Sequence, residues 1–236
     1  MSADHICDGN NSMLPSFRSG PRAESMTSVV FPAFVPYRGT NHPPSAYEGA
    51  MVSSRFAVLD VETTSGDPTK GRVVEVAVLA LDGTKERLRW DSLIQPRTNI
   101  PPFIQRLTGI DQSMLREAPS FAEVVRTLET LTQDRTIVAH NVRFDMTALE
   151  HEFARTGLVF DRPTLCTERL ARRLAPHLTH YNLGALCRHF GIPFIAAHRA
   201  LSDAEATAAL LSRFIADHGE EQVLQGISVW PRAIRA

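Results

Sequence analysis

The order of the apolar segments constrains the fold of this chain more than any other feature. Phe56 to Asp60 predicts a strand that is buried on both faces, and Val73 to Leu81 predicts its hairpin partner. Asp82-Gly83 closes the second segment, and Arg87 to Gln95 can supply a third strand. Three strands in succession, followed by alternating helices and strands, indicate an α/β fold in which helices flank a mixed sheet.

After the third strand, segments with the hydrophobic period of a helix alternate with short apolar segments typical of a strand. Ser120 forms a predicted capping box with Glu123, and a helix follows it. A second capping box, Ser202 with Glu205, predicts the start of the last helix. The remaining predicted elements are a strand at Thr136 to Ala139 and helices at Arg143 to Thr156, near Glu168 to Leu174 and at Leu183 to Phe190.

The first fifty residues differ in composition from the rest of the chain. They hold six prolines, four glycines and seven serines and show no helical or strand period. We therefore expect a disordered leader at residues 1–52, a folded domain at 53–218 and a short C-terminal tail at 219–236. Met51 directly precedes the first strong strand and is a candidate start of translation.

Composition excludes several classes of protein. The formal net charge of -1 argues against a histone-like polycation, so a nucleic-acid partner would need a local basic patch. Three widely spaced cysteines suit neither a disulfide framework nor a zinc knuckle and favour a reducing cytoplasm. No apolar run approaches the roughly 18 residues that cross a bilayer, so no membrane association is expected.

Acidic residues cluster at three places along the predicted fold. Asp60 and Glu62 lie two apart on a strand, so both carboxylates leave the same face; a solvated strand end is the less favoured explanation of the pair. Asp145 follows the short strand and stands beside the buried stripe of its helix. Asp203 lies in the first turn of the last helix, a few residues after His198. Four such carboxylates would repel one another without a cation, and oxygen ligands favour Mg²⁺ or Mn²⁺.

Three motifs, in this order, resemble those of the DnaQ-like, or DEDDh, 3′–5′ exonucleases of the ribonuclease H-like fold. The resemblance runs from about Arg55 to about His218, and Ser65 departs from it because many members have glycine there. Softer similarities occur at Leu107 to Ile110 and at Tyr181 to Leu186. The motifs are Asp60-Val61-Glu62-Thr63-Thr64, His140-Asn141-x-x-Phe144-Asp145 and His198-Arg199-Ala200-Leu201-x-Asp203-Ala204.

The resemblance implies a role for each of these residues. Asp60, Glu62 and Asp203 would hold one metal ion, and Asp60 and Asp145 would share a second. His198 would be the general base, and Thr63 and Phe144 would grip the 3′-terminal nucleotide. For two further residues, the mid-strand acid Glu75 and the ambiguous His140, we expect structural roles. Asn141 could act as a helix cap.

The sequence leaves the substrate and partners open. The resemblance implies removal of nucleotides from 3′ ends, of single-stranded DNA more than RNA. An RNA-trimming enzyme and a catalytically silent module that binds nucleic acid or a polymerase are the alternatives.

Between Arg162 and Arg199, six arginines and four histidines accompany the single acid Glu168, which favours a path for phosphates. The apolar group Ile227, Val229 and Trp230 only loosely matches a sliding-clamp peptide, so we expect the tail to pack on its own domain and a polymerase partner is not favoured.

Overall fold

The computed structural model describes residues 54–194 and 196–230. The predicted leader, the candidate start at Met51 and the last six residues therefore lie outside the described part of the chain. The strands are β1 (Arg55–Thr63), β2 (Val73–Asp82), β3 (Lys85–Leu93), β4 (Thr136–Ala139), β5 (Pro163–Cys166) and β6 (Ser228–Val229). The helices are α1 (Pro102–Thr108), α2 (Phe121–Thr132), α3 (Val142–Arg155), α4 (Thr167–Leu174), α5 (Leu183–Phe190), α6 (Ala200–His218) and α7 (Glu220–Leu224).

The six strands form one mixed sheet in the order β3-β2-β1-β4-β5-β6. The first three strands pair in antiparallel fashion, whereas β1 pairs with β4 and β4 with β5 in parallel. Gly83 turns the chain from β2 into β3 with φ of 60°, a left-handed conformation that favours glycine. The predicted hairpin and the predicted mixed α/β architecture are both confirmed.

Alternation along β1 divides the core between the two faces of the sheet. Ala57, Leu59 and Val61 pack with α2 and α3 on one face. Phe56 and Val58 pack with α4, α5 and α6 on the other. Because side chains alternate along a strand, Asp60 and Glu62 continue the second row and emerge on the face that α6 covers.

The two predicted capping boxes have different outcomes. Glu123 accepts hydrogen bonds from the backbone N–H and the hydroxyl of Ser120, so the first box is confirmed. The second is wrong, because α6 begins at Ala200, before Ser202. Its first N–H is bound by Glu75, which lies on β2, far away in sequence. A capping group from a distant strand leaves no local signal for the start of a helix.

The tail after α6 joins the domain as far as Trp230. Ser228 and Val229 form β6, a short antiparallel strand on the edge of β5. Ile227 packs against the core on the α6 side of the sheet, and Trp230 Nε1 donates a hydrogen bond of 3.3 Å to Glu150 on α3. The expectation that the tail packs on its own domain is confirmed for these residues. Within the described ranges, no helix is long and apolar enough to cross a membrane.

Candidate active site

One end of the sheet gathers the predicted catalytic residues from three elements. Parallel pairing places the end of β1 beside the end of β4, and α3 begins just after β4. The helix α6 packs against β1 and β2. Its first N–H is bound by Glu75, which pairs in register with Glu62 on β1. The carboxyl end of β1 and the first turns of α3 and α6 therefore meet at this end of the sheet.

Asp145 is the most deeply buried of the four acids, with 2% of its surface exposed. Its Oδ1 accepts a hydrogen bond of 3.2 Å from the backbone N–H of Val61 on β1. The expectation that this residue faces the sheet is confirmed. Asn141, which precedes the helix, has a left-handed φ of 64° and its side chain makes no capping bond. Its tolerance of that conformation, rather than side-chain capping, suits asparagine to this position.

Glu62, His198 and Asp203 form the tightest group in the site. One ligand atom from each of the three lies within 4.8 Å of the other two. The backbone N–H of His198 donates a hydrogen bond of 3.2 Å to Asp203 Oδ1. His198 itself is exposed, whereas Glu62 and Asp203 are partly buried. The imidazole is therefore reachable by solvent and stands next to two carboxylates.

Burial and repulsion from neighbouring acids raise the pKa of all four acids at this end of the sheet. Burial, with repulsion from Asp203 and Glu75, raises the pKa of Glu62 from 4.5 to about 8. Burial raises the pKa of Asp203 to about 6, although His198 opposes this. The pKa values of Asp60 and Asp145 are also raised, by burial first and then by the neighbouring acids. Four acids that resist ionisation together form a site that a cation would stabilise.

The ligand atoms that the four acids offer suit divalent metal ions that prefer oxygen. All four acids offer carboxylate oxygens, which Mg²⁺ and Mn²⁺ prefer, and none of the described cysteines lies among them. A bound cation would also lower the pKa of each carboxyl, because an opposite charge stabilises the ionised form. The residues present are therefore suited to a metal centre.

His140 and Glu75 take supporting positions, as the sequence predicts. His140 Nε2 lies 2.9 Å from the Tyr181 carbonyl, which can only accept, so this nitrogen carries the proton. Its Nδ1 lies 3.0 Å from the Thr167 hydroxyl, and burial lowers the pKa of the ring. Glu75 binds Arg199 and the N–H of Ala200. The sequence did not single out Arg199 as this partner, although a buried acid in mid-strand signals the need for a cation.

Thr63 and Phe144 flank the acids without a contact that tests their predicted roles. The hydroxyl of Thr63 donates to the Ser65 carbonyl and its side chain is buried, which leaves its backbone as the surface for a ligand. Phe144 is partly exposed and packs against the core on the α3 side. Their assignment to nucleotide binding stays a prediction.

The arginines of the basic segment do not all face one surface. Arg162 donates to the Thr132 carbonyl at the end of α2, by the start of β4, and thus at the end of the sheet opposite the acids. Arg173 donates to the Gln222 carbonyl on α7. Arg172 pairs with Glu168 and stacks over the ring of Tyr181 at 4.4 Å.

Only part of the basic segment can therefore serve a phosphate path. Arg199 is held by Glu75, and Arg162 and Arg173 bind backbone carbonyls. Arg169, Arg172 and Arg188 are exposed on α4 and α5. Of these, Arg172 lies near the end of β4, because it stacks over the ring of Tyr181, whose carbonyl binds His140.

Comparison with known proteins matches this architecture to nucleases. The RNase_T exonuclease family model matches residues 57–211. DNA polymerase III subunit epsilon of Aquifex aeolicus is 31% identical over 166 residues, which are 70% of this chain and 82% of that protein. The PolC-type DNA polymerase III of Halalkalibacterium halodurans is 34% identical over 185 residues, 77% of this chain. The chain spans only 13% of that polymerase.

Solved structures agree with the sequence comparison. Exonuclease X in complex with 5′-overhanging duplex DNA superposes with a TM-score of 0.58 and 28% identity, covering 72% of this chain and 98% of that one. Exonuclease I, at 21% identity and a TM-score of 0.64, shows the same fold over 73% of this chain and 42% of that one. The predicted ribonuclease H-like fold is confirmed. The matched residues 57–211 contain all three acidic motifs, and the chain therefore belongs to the RNase_T, DnaQ-like exonuclease family.

Proposed function

We propose that this protein is a metal-dependent 3′–5′ exonuclease that hydrolyses phosphodiester bonds at the 3′ ends of single-stranded DNA. The observation that carries the proposal is the convergence of Glu62, Asp203 and His198 within 4.8 Å at the end of the sheet. Asp145, bonded to β1 at Val61, and Asp60 complete the set. A silent binding module would not need five chemically competent residues at one place, so we favour catalysis.

The carboxylates divide between two metal positions in this proposal. Asp60, Glu62 and Asp203 would hold one ion, and Asp60 and Asp145 a second, with Mg²⁺ or Mn²⁺ as the ions that suit oxygen ligands. Two such ions supply an activated water and neutralise the charge that develops on the phosphate oxygens. The hydrogen bond from Val61 holds Asp145 in place before any substrate arrives.

His198 would accept the proton of the attacking water. It is exposed to solvent, and its N–H bond to Asp203 holds its backbone beside the acids. A histidine can take and release a proton near neutral pH, which is why it is the commonest general base. Thr63, by its backbone, and Phe144, by its partly exposed ring, would grip the last nucleotide. An aromatic ring suits this position because it can pack against any base.

Single-stranded DNA is the favoured substrate. Two sequence relatives are named DNA polymerase III PolC-type and DNA polymerase III subunit epsilon, and exonuclease X was solved with 5′-overhanging duplex DNA, which favours DNA over RNA. The exposed arginines Arg169, Arg172 and Arg188 would bind the phosphates of the incoming strand.

We further propose that this protein is a free-standing enzyme of the reducing cytoplasm. Cys166 and Cys187 are free thiols, and Trp230 is engaged by Glu150 rather than available as a clamp peptide.

One assay tests the activity and its substrate together. The full chain is incubated with Mg²⁺ or Mn²⁺ and with 3′-labelled or 5′-labelled single strands of DNA and RNA of equal sequence. We expect release of the 3′ label as mononucleotide and a shortening ladder from the 5′ label, faster on DNA. Faster cleavage of RNA would support the RNA-trimming alternative instead.

Variants show whether the acids carry the activity. Asp60→Asn and Asp203→Asn should abolish cleavage, because amides bind hard cations far more weakly than carboxylates. Asp217→Asn is the matched control, since Asp217 lies at the opposite end of α6 and pairs with Arg213 on the surface. Activity near the wild-type level in both test variants would refute the metal assignment.

A further inference from the structure

Glu75 is a buried acid directly beside the site, and its carboxylate is held by an ion pair and a backbone N–H. It lies on β2 opposite Glu62 on β1, and 3% of its surface is exposed. Its carboxylate accepts hydrogen bonds from Arg199 Nη2 at 2.7 Å and Nε at 3.2 Å. The N–H of Ala200 donates to the same carboxylate at 2.9 Å. These contacts bind the two residues that directly follow His198.

His198 depends on its neighbours to fix its backbone. It is exposed, it lies before α6 begins, and its φ of 63° is in the left-handed region. That conformation is unfavourable for a non-glycine residue, so the surrounding contacts must impose it. On one side its N–H binds Asp203, and on the other Glu75 anchors Arg199 and Ala200.

We propose that Glu75 is a positioning residue, which through Arg199 and Ala200 fixes the backbone at His198 so that the imidazole stays beside Glu62 and Asp203. This inference rests on the proposed role of His198 as proton acceptor. Glu75 itself does not touch the reacting groups in this scheme. Removal of its ion pair would let His198 leave the left-handed conformation and move away from the two carboxylates.

A double-mutant cycle separates positioning from a general structural role. Glu75→Gln keeps an oxygen for the N–H of Ala200 and removes the ion pair. It should lower kcat by about 10- to 100-fold, with KM changed by less than about two-fold, because small displacements of a catalytic group are costly. In a His198→Ala background the same substitution should change kcat by less than about two-fold, because the group that Glu75 positions is already gone.

Glu152 on α3 provides a matched control. It is also buried and accepts hydrogen bonds from an arginine, Arg72 at 2.6 Å, and from a backbone N–H, that of Val73 at 3.2 Å. Glu152→Gln should therefore cost stability of the same kind. Its effect on kcat, whatever its size, should be equal with and without His198, since its contacts lead to the start of β2.

The outcomes distinguish this inference from the proposed function. An equal reduction of kcat by Glu75→Gln in both backgrounds would overturn the positioning role while leaving His198 as the base. A His198→Ala variant as fast as the wild type would remove the proposed base, and the positioning role with it. Arg199→Gln guards against misfolding of Glu75→Gln, because the Arg199 side chain is 42% exposed, and it should reproduce the same non-additive pattern.

Discussion

Replacing Glu62 by glutamine should stabilise the metal-free protein. Burial and the neighbouring acids raise the pKa of Glu62 from 4.5 to about 8, so its ionised form is disfavoured in the folded state. Such a carboxyl destabilises the folded state at pH 7 by at most about 3 kcal/mol, from the difference in proton binding between the two states. Partial exposure and solvent screening reduce this to about 1–2 kcal/mol.

The sign of the pH dependence follows from the raised pKa. The folded state holds the proton of Glu62 more tightly than the unfolded state does. The stability that this proton contributes is fully present below pH 4.5 and is lost as the pH rises to about 8. Glutamine carries no proton to lose, so the advantage of the variant should be small near pH 5 and largest near pH 8.

Thermal unfolding measures this difference. With a chelator at pH 7, Glu62→Gln should melt roughly 2–8 °C above the wild type, from about 2–4 °C per kcal/mol for a domain of this size, and the difference should widen toward pH 8. With saturating Mn²⁺ the order should reverse, because the wild type gains more from binding the ion. Glu117→Gln, an exposed control, should not shift the midpoint. The reasoning would be refuted if the variant melted below the wild type at pH 8 without metal, or if the difference in melting temperature did not change with pH.

Three further predictions follow from the fold and the exposed charges. A chain beginning at Met51 should fold and cleave as the full chain does, measured by melting and activity, because the composition of the leader lacks a core-forming pattern. Gly226→Ala should lower stability by about 1–3 kcal/mol in denaturant unfolding, since its Cβ would lie 2.8 Å from Leu165 Cδ1, whereas Gly66→Ala meets nothing within 4 Å. Each of the substitutions Arg169→Gln and Arg188→Gln should make the binding of single-stranded DNA less dependent on salt. The slope of the logarithm of the binding constant against the logarithm of the salt concentration should fall in magnitude by about 0.7, the value for one phosphate neutralised by one cationic side chain.

The positions of the acids in the candidate site were predictable because their signals are local. Asp60 and Glu62 lie on an apolar strand whose period fixes a shared face, and the structure places that face under α6. Asp145 follows a short strand by a few residues, so the parallel pairing of β4 with β1 carries it to the same end of the sheet. Period and chain order contain this information, which is why the motif positions and the fold agree.

The supporting contacts were not predictable in the same way. The group that binds the first N–H of α6 belongs to Glu75, 125 positions before Ala200. Sequence periodicity favoured a local cap at Ser202 and placed the start of α6 too late. The scattering of the arginines has the same origin, because only tertiary packing directs Arg162 to Thr132 and Arg199 to Glu75.

The two glutamates that face each other across β1 and β2 explain why the site would take two divalent ions. Glu75 is bonded to Arg199 and to the N–H of Ala200, so it is not needed as a fifth ligand, although it still repels Glu62. Glu62 forms no such ion pair within the described part of the chain, and burial together with repulsion from Asp203 and Glu75 raises its pKa. The four remaining carboxylates carry four negative charges when ionised. Two divalent cations would balance them, whereas one would leave two negative charges without a counterion at this partly buried site.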